Sequence, residues 1–174
     1  LLGQPRLLLL DEPLISLDPR RQQDLIRQVK ALQTELGITV LNNAHVVVKR
    51  GDAALVVAGV PDLREGKKHP GHETDHVKAL AGAPANATRV LLAHRPRNAF
   101  EAVKHGFHLQ LSGHTHGGQY FPWNLFVGMF EPLPTGLSQV GALQVYVSPG
   151  TCYWGPPLRN GVPPEITSLR LRRA

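Results

Sequence analysis

The sequence predicts an α/β fold in which helices flank a mixed β-sheet. Short aliphatic runs that end in Gly or Asn alternate with segments of helical periodicity. The clearest helix covers residues 20–36, because Asp18 and Pro19 supply an N-cap and a first turn and Gly37 follows the last periodic residue. Its apolar positions recur at helical spacing: Leu25, Val29, Leu32 and Leu36.

Short apolar runs bounded by turn residues are the predicted strands of that sheet. The six runs are Leu7–Leu10, Ile38–Leu41, His45–Val48, Leu55–Ala58, Arg89–Ala93 and Phe107–Leu111. Gly51 and Asp52 separate the third run from the fourth, which favours a hairpin. Two further strands are predicted at Leu143–Ser148 and Ile166–Leu171, and two shorter helices at 73–80 and 98–105.

Length and composition predict one domain over residues 1–174, because 174 residues with 42% hydrophobic content suffice for one core. No apolar run has the length of a membrane span, and no signal-peptide pattern is visible. A soluble protein is therefore predicted, with the cytoplasm favoured. The single cysteine, Cys152, cannot form an internal disulfide, so oxidising and reducing compartments both stay open.

The charge balance is basic, with 19 Lys and Arg against 13 Asp and Glu and a formal net charge of +6. Such a balance suits an anionic partner such as a phosphate ester, a nucleic acid or a lipid headgroup. The charge alone does not choose among them. No nucleic acid is predicted as a partner.

Three histidines follow two predicted strands and could share one edge of the sheet. His94 ends one strand, and His114 and His116 come directly after another. Neutral imidazole is the commonest metal-ligating group, so these residues are candidate metal ligands. The alternative is that each histidine caps a strand through an ordinary hydrogen bond. Arg95, beside His94, is a candidate contact for a phosphate oxygen.

Other residues carry weaker indications. A polar loop contains His69, His72 and His76, which could hold a metal but are better interpreted as solvated. Aromatic side chains near the histidine turn could line a substrate pocket, although aromatic residues close to Pro and Gly more often pack loops. They are Tyr120, Phe121, Trp123 and Trp154.

Five segments agree in order with one known family. They are 37–43 (GITVLNN), 58–62 (AGVPD), 92–96 (LAHRP), 112–119 (SGHTHGGQ) and 151–157 (TCYWGPP). Together they resemble the C-terminal half of a calcineurin-like metallophosphoesterase over about residues 37–173. The resemblance implies a partial β-sandwich and a metal-dependent hydrolysis of phosphate esters. It also implies Zn, Mn or Fe as one or at most two divalent ions, with His94 and His114 on one ion and His116 on the other.

The family's early motifs are absent before Gly37. These motifs are Asp-x-His, Gly-Asp and Gly-Asn-His-Asp, and they would supply the bridging aspartate and further ligands. Phosphoester hydrolysis is therefore expected to be weak or absent. A non-catalytic, self-assembling binding module is the alternative, since the loss of half a sandwich exposes an apolar face or an open edge that a homo-oligomer would cover.

The first 36 residues resemble a different family. The string LGQPRLLLLDEPLISLDPR over residues 2–20 is similar to the Walker B strand and D-loop of an ABC transporter ATPase, with Asp11 and Glu12 at the acidic positions. The phosphate-binding loop and the ABC signature are missing, so an ABC-type nucleotide-binding fragment is the second alternative. A natural fusion, an engineered chimera and a sequencing artefact would all give this pattern.

The two resemblances together predict a specific metal site. Strand Leu7–Leu10 would take the place of the lost family strand and bring Asp11 or Glu12 near His94 and His114. A carboxylate would lower the charge of an ion that two imidazoles leave uncompensated. We therefore predict a single-metal site formed by His94, His114 and one of these acids, with His116 empty or hydrogen-bonded.

Overall fold

The computed structural model describes residues 39–68 and 70–172, together with Asp24, Arg27, Ala31, Thr34, Glu35 and Gly37. The chain divides into two compact units, residues 1–38 and 39–174. In the first unit, the described residues from Asp24 to Glu35 are helical, as the predicted helix requires. The predicted strand Leu7–Leu10 and the acids Asp11 and Glu12 lie outside the described residues. The single domain over 1–174 stays a prediction.

Six strands of the second unit form one mixed sheet. They are β1 (Ala44–Arg50), β2 (Ala53–Gly59), β3 (Thr88–Leu92), β4 (Leu109–Ser112), β5 (Gly136–Val140) and β6 (Leu143–Val147). Their order is β1-β2-β3-β4-β6-β5. Strands β2, β3, β4 and β6 run parallel, and the two edge strands pair antiparallel with their neighbours. The predicted α/β class, the mixed sheet and the β1–β2 hairpin are confirmed.

The helices of this unit are short. They are α1 (Glu65–Lys68), α2 (His76–Ala79), α3 (Ala99–Ala102) and α4 (Trp123–Phe130). Tight 3-10 turns at Pro96–Asn98 and Val103–His105 flank α3, and a third covers His116–Gly118. Local chemistry sets the helix ends: the Asp75 side chain accepts the Lys78 amide at 2.8 Å, and Gly106 at φ 72° closes the segment after α3.

The core lies where apolar side chains of the central strands meet α2 and α3. Strand β6 shows the pattern best, because Leu143, Val145 and Val147 are fully buried while Gln144 between them is exposed. The buried cluster also includes Ala58, Ala79, Leu91, Ala99, Ala102 and Phe107. This packing fixes the parallel strands whose ends carry the candidate site.

The structure corrects two strand predictions. The described part of Ile38–Leu41, residues 39–41, is not a strand. Asn43 explains this, because its left-handed backbone at φ 49° turns the chain, and its side chain bonds the Glu73 carbonyl and the Asp75 amide at 2.7 and 2.9 Å. The alternating run Ile166–Leu171 is also not a strand, since both sets of side chains are exposed and no strand pairs with it among the described residues.

Three elements were not predicted. Helix α1 forms in the polar segment that was expected to be a surface loop. Strand β5 is a sheet edge with mixed polar and apolar residues, and α4 consists mainly of apolar residues that stay exposed. Among the described residues, no helix has the length and hydropathy needed to cross a membrane.

Candidate metal centre

The carboxyl ends of β2, β3 and β4 meet at one edge of the sheet. Three backbone hydrogen bonds continue the ladder beyond the strands: Val60 N to Leu92 O at 3.2 Å, Ala93 N to Leu111 O at 3.1 Å and Gly113 N to His94 O at 3.1 Å. Ligand sites in open parallel sheets lie at this edge. The ladder brings together the residues that follow each strand: Asp62, then His94 and Arg95, then His114.

His94 and His114 are neighbours, with ring centroids 4.7 Å apart and planes inclined by 70°. The backbone of His114 is left-handed at φ 71°, and that of His116 is left-handed at φ 50°. Such conformations are uncommon for residues other than glycine, cost about 1 kcal/mol or more each, and cluster at functional sites. The turn after β4 is therefore strained where the candidate ligands stand.

Arg95 connects two of the three strand ends. Its Nε donates to the Asp62 carboxylate, 2.8 Å from Oδ2 and 3.2 Å from Oδ1, and its Nη1 lies 2.6 Å from Nε2 of His114. Both side chains of the ion pair are largely buried, at 14% and 16% exposure. Arginine can only donate, so Nε2 of His114 accepts in this contact, and a metal ion bound at the same nitrogen would have to replace it.

A buried polar network fixes the turn that carries Arg95. The Gln110 side chain is fully buried, and its Nε2 lies 3.2 Å from the Pro96 carbonyl and 2.9 Å from Oγ of Ser112. That hydroxyl donates to the Ala93 carbonyl at 2.7 Å. Buried polar groups of this kind are costly unless bonded, so the network favours one conformation of the 93–96 segment.

Gln119 ties the histidine turn to the loop of residues 152–158. The residue is 2% exposed, and its Nε2 donates to the Trp154 and Pro156 carbonyls at 2.8 and 3.0 Å. Its Oε1 accepts the amide of Trp154. Arg159 holds the same loop through the Cys152 and Pro149 carbonyls, and burial lowers its pKa. These hydrogen bonds thus attach the loop to the turn that carries His114 and His116.

The described residues fit a metal ion only in part. His94 and His114 offer two adjacent imidazoles, and protein metal sites need at least three ligands. Among residues 39–68 and 70–172, however, no group of three or more His, Cys, Asp and Glu is placed to hold an ion, so His116 does not complete a set. The predicted acidic ligands Asp11 and Glu12 lie outside the described residues.

The weaker candidates from the sequence are the histidines of the polar loop and the aromatic residues near the histidine turn. His76 is buried, and its ring stacks on His105 in the 3-10 turn after α3 at a centroid distance of 5.4 Å. His72 is exposed. Burial lowers the pKa of His76, and the nearby His105 lowers it further. His69 lies outside the described residues. The aromatic candidates Phe121, Trp123 and Trp154 expose much of their rings.

Sequence reasoning missed three residues of the site. Asp62 lies in a segment that carried the family resemblance but received no role, although it follows a strand end as His94 does. Gln110 and Gln119 gave no signal, because a glutamine in a strand or a turn is ordinarily exposed. Only the structure shows that both are buried.

Comparison with known proteins supports the family resemblance. The chain is 38% identical over 146 residues to a "Transmembrane protein with metallophosphoesterase domain" of Danio rerio, and 40% identical over 154 residues to its namesake in Bos taurus. A metallophosphoesterase of Helicobacter pylori named as uncharacterized is 36% identical over 148 residues. These matches cover 80, 83 and 84% of this chain. Homology over most of the chain therefore supports a metallophosphoesterase-like domain.

The chain spans 33, 35 and 39% of the length of these three relatives. No family model matches it. A solved structure of the sulfate thiohydrolase SoxB in complex with glycerol aligns with 73% of this chain and 29% of its own, at a TM-score of 0.47 and 20% identity. The relatives give no support to the ATPase resemblance of residues 1–36, and none to a chimera.

Proposed function

We propose that this chain carries a metal-dependent phosphoesterase site at the carboxyl edge of its sheet. One observation carries the proposal: Arg95 is held by Asp62 directly beside the neighbouring imidazoles of His94 and His114. A guanidinium in that position can bind a phosphoryl oxygen through the nitrogen that the ion pair and the histidine leave available. The substrate class is a phosphate ester.

The proposed metal is a divalent transition ion, Zn, Mn or Fe, bound as one ion or at most two. His94 and His114 would be ligands, Asp11 or Glu12 would complete the set, and His116 would be empty or hydrogen-bonded. Such an ion polarises a phosphoryl oxygen and lowers the pKa of a bound water. Weak turnover is expected, because the family's bridging aspartate has no counterpart in this sequence.

The names of two relatives add a location to the proposal. Both are called transmembrane proteins with a metallophosphoesterase domain. We therefore propose that the phosphoesterase site of this chain works at a membrane surface.

The test measures metal content and turnover on the same preparations. We expect purified wild type to bind about one divalent ion per chain and to hydrolyse an activated aryl phosphodiester slowly. His114→Ala should lose the metal and the turnover, and Asp11→Asn should weaken both. His108→Ala is the matched control, because His108 precedes β4 at the opposite end of the strand. If metal binding and turnover are unchanged in His114→Ala, the proposed metal site is wrong.

A binding module that assembles with itself is the second candidate. The observation in its favour is the outer edge of β1, where no further strand pairs within the described residues and Val48 is 52% exposed. Open edges of this kind pair readily with another copy. A metal-free dimer in light scattering would favour this function over the first, whereas a metal-bound monomer would exclude it.

The ATPase-like segment gives the third candidate, an ABC-type nucleotide-binding fragment. Its acids Asp11 and Glu12 lie outside the described residues, and the phosphate-binding loop is absent from the sequence. ATP affinity that depends on Asp11 would favour it. We expect none.

A further inference from the structure

We propose that the exposed face of α4 is a docking surface for an anionic phospholipid bilayer. This face, the α4 patch, is formed by large apolar side chains that are each between 37 and 78% exposed. Its members are Phe121, Trp123, Leu125, Phe126, Met129 and Phe130. The inference deepens the membrane-surface part of the proposed function by naming the surface that makes the contact.

The helix is anchored so that its apolar side chains stay outward. Only Val127 is buried among the residues of α4. Gly118, in the turn before the helix, packs so closely on it that an added Cβ would lie 2.4 Å from Cα of Asn124. The Asn124 amide also donates to the Tyr120 carbonyl at 3.0 Å. A contiguous apolar surface held outward in this way marks an interaction site.

The side chains of the α4 patch are those that suit a bilayer interface. Residues 121–130 include one Trp, three Phe, Leu and Met and no charged residue. Tryptophan and phenylalanine partition into the boundary between headgroups and acyl chains, and a short helix can lie there with its apolar face buried. At eight residues, α4 is far short of a membrane span.

Charge favours a bilayer over a second copy of the chain. The acid nearest the helix end, Glu131, is paired with Arg97 at 3.1 Å, and Arg97 also donates to the Phe130 carbonyl. The patch therefore meets anionic headgroups without an unpaired carboxylate in residues 121–131. The formal charge of +6 attracts an anionic membrane, whereas two copies brought together repel each other.

The patch continues beside the candidate site. The amide of Phe121, which precedes α4, donates at 2.9 Å to the carbonyl of Asn160, which follows the loop that Gln119 holds. That loop exposes three more apolar side chains: Tyr153, Trp154 and Leu158. A bilayer on the α4 patch would therefore lie close to the histidine turn.

The experiment measures co-sedimentation of the full chain with vesicles of phosphatidylcholine containing about one third phosphatidylglycerol. We expect wild type to sediment with them. The double variant Leu125→Glu/Met129→Glu should bind the vesicles at least about tenfold more weakly. The matched control is Val77→Glu/Ile166→Glu, which makes the same charge change at positions 68% and 84% exposed and outside the patch. It should bind as wild type does.

A fluorescence readout locates the contact. The chain has two tryptophans, so Trp154→Phe leaves Trp123 as the reporter, and its emission should shift to the blue when vesicles are added. Equal loss of binding in both double variants would assign it to net charge and overturn the proposal. So would unchanged binding of the patch variant, or a dimer that this variant dissociates without any vesicle binding. None of these measurements needs metal or turnover, so failure here is distinguishable from failure of the phosphoesterase site.

Discussion

Asp62 holds Arg95 in place, with its carboxylate 2.8 Å from Nε of the guanidinium. The pair joins the end of β2 to the end of β3, and the same guanidinium reaches His114 at the end of β4. Three strand ends are thus connected through one side chain. An arginine fixed by two partners loses less conformational freedom when it binds a phosphate than a free one would.

The first prediction concerns Asp62→Asn, which keeps the shape of the side chain and removes its charge. Loss of the partly buried ion pair should lower the free energy of unfolding by about 1–3 kcal/mol. Phosphoester turnover should fall about tenfold in kcat/KM, mainly through KM, because Arg95 is no longer oriented. Urea unfolding and steady-state kinetics measure the two effects.

The control for this prediction is Asp52→Asn in the exposed turn between β1 and β2. It removes the same charge far from the strand ends and should leave stability and kinetics within error of wild type. If both aspartate variants reduce kcat/KM alike, the effect comes from net charge and the orienting role of Asp62 is wrong.

The second prediction concerns Gln119→Ala. The change removes the three hydrogen bonds that hold the 152–158 loop and leaves the Trp154 and Pro156 carbonyls to find other partners. Stability should fall by about 2 kcal/mol, because a buried polar cluster loses its central member. Gln139→Ala, at an exposed position of β5, is the comparison and should cost less than about 0.5 kcal/mol.

Limited proteolysis locates that change. The loop of residues 152–158 contains Tyr153, Trp154 and Leu158 as chymotryptic sites, and cleavage there should be faster in Gln119→Ala than in wild type. If cleavage of the loop keeps its wild-type rate in this variant, Gln119 is not what holds it.

The third prediction compares two glycines near α4. Gly118→Ala should be strongly destabilising, because Gly118 has φ 79° and an added Cβ would lie 2.4 Å from Cα of Asn124. Gly128→Ala meets nothing within 4 Å and lies inside the helix, so it should stabilise the fold by about 0.5–1 kcal/mol. Thermal unfolding of the two variants measures the contrast, and effects of the same sign would contradict the packing of α4 on the histidine turn.

The predicted strands that proved correct are those whose apolar runs end in a clear turn. His45–Val48 and Leu55–Ala58 flank Gly51, which adopts φ 56°. The turn at this glycine lets the two strands pair as a hairpin. Ile166–Leu171 failed because alternation describes a half-buried strand only when a partner strand is present. Strand β5 was missed for the opposite reason, since its pairing with β6 decides its conformation more than its own residues do.

The sequence predicted those residues of the candidate site whose side-chain type itself indicates metal or phosphate binding. His94, His114 and His116 were predicted to share one edge because they follow two strands, and the parallel register of β3 and β4 brings His94 and His114 together. The role of Asp62 depends on a contact between residues 33 positions apart, which no local pattern encodes. Whether Asp11 or Glu12 joins them stays a prediction.

The last prediction concerns pH and stability at His76. Burial and the charge of His105 lower the pKa of His76, whereas Asp75 and Glu101 act in the opposite direction without reversing the shift. With its pKa lowered in the folded state, His76 binds a proton more readily in the unfolded chain. Stability from this residue is therefore fully present above the unfolded value of about 6.5 and is lost as the pH falls from there through the folded value.

The measurement is urea unfolding of wild type and of His76→Phe between pH 8 and pH 5. The phenyl ring keeps the packing against His105 and Phe107 but cannot titrate, so the variant should lose less stability on acidification than wild type does. His105→Asn removes one of the two causes and should give an intermediate dependence, because burial still acts on His76. If wild type and His76→Phe lose stability in parallel below pH 6.5, His76 does not contribute to the acid sensitivity of the fold.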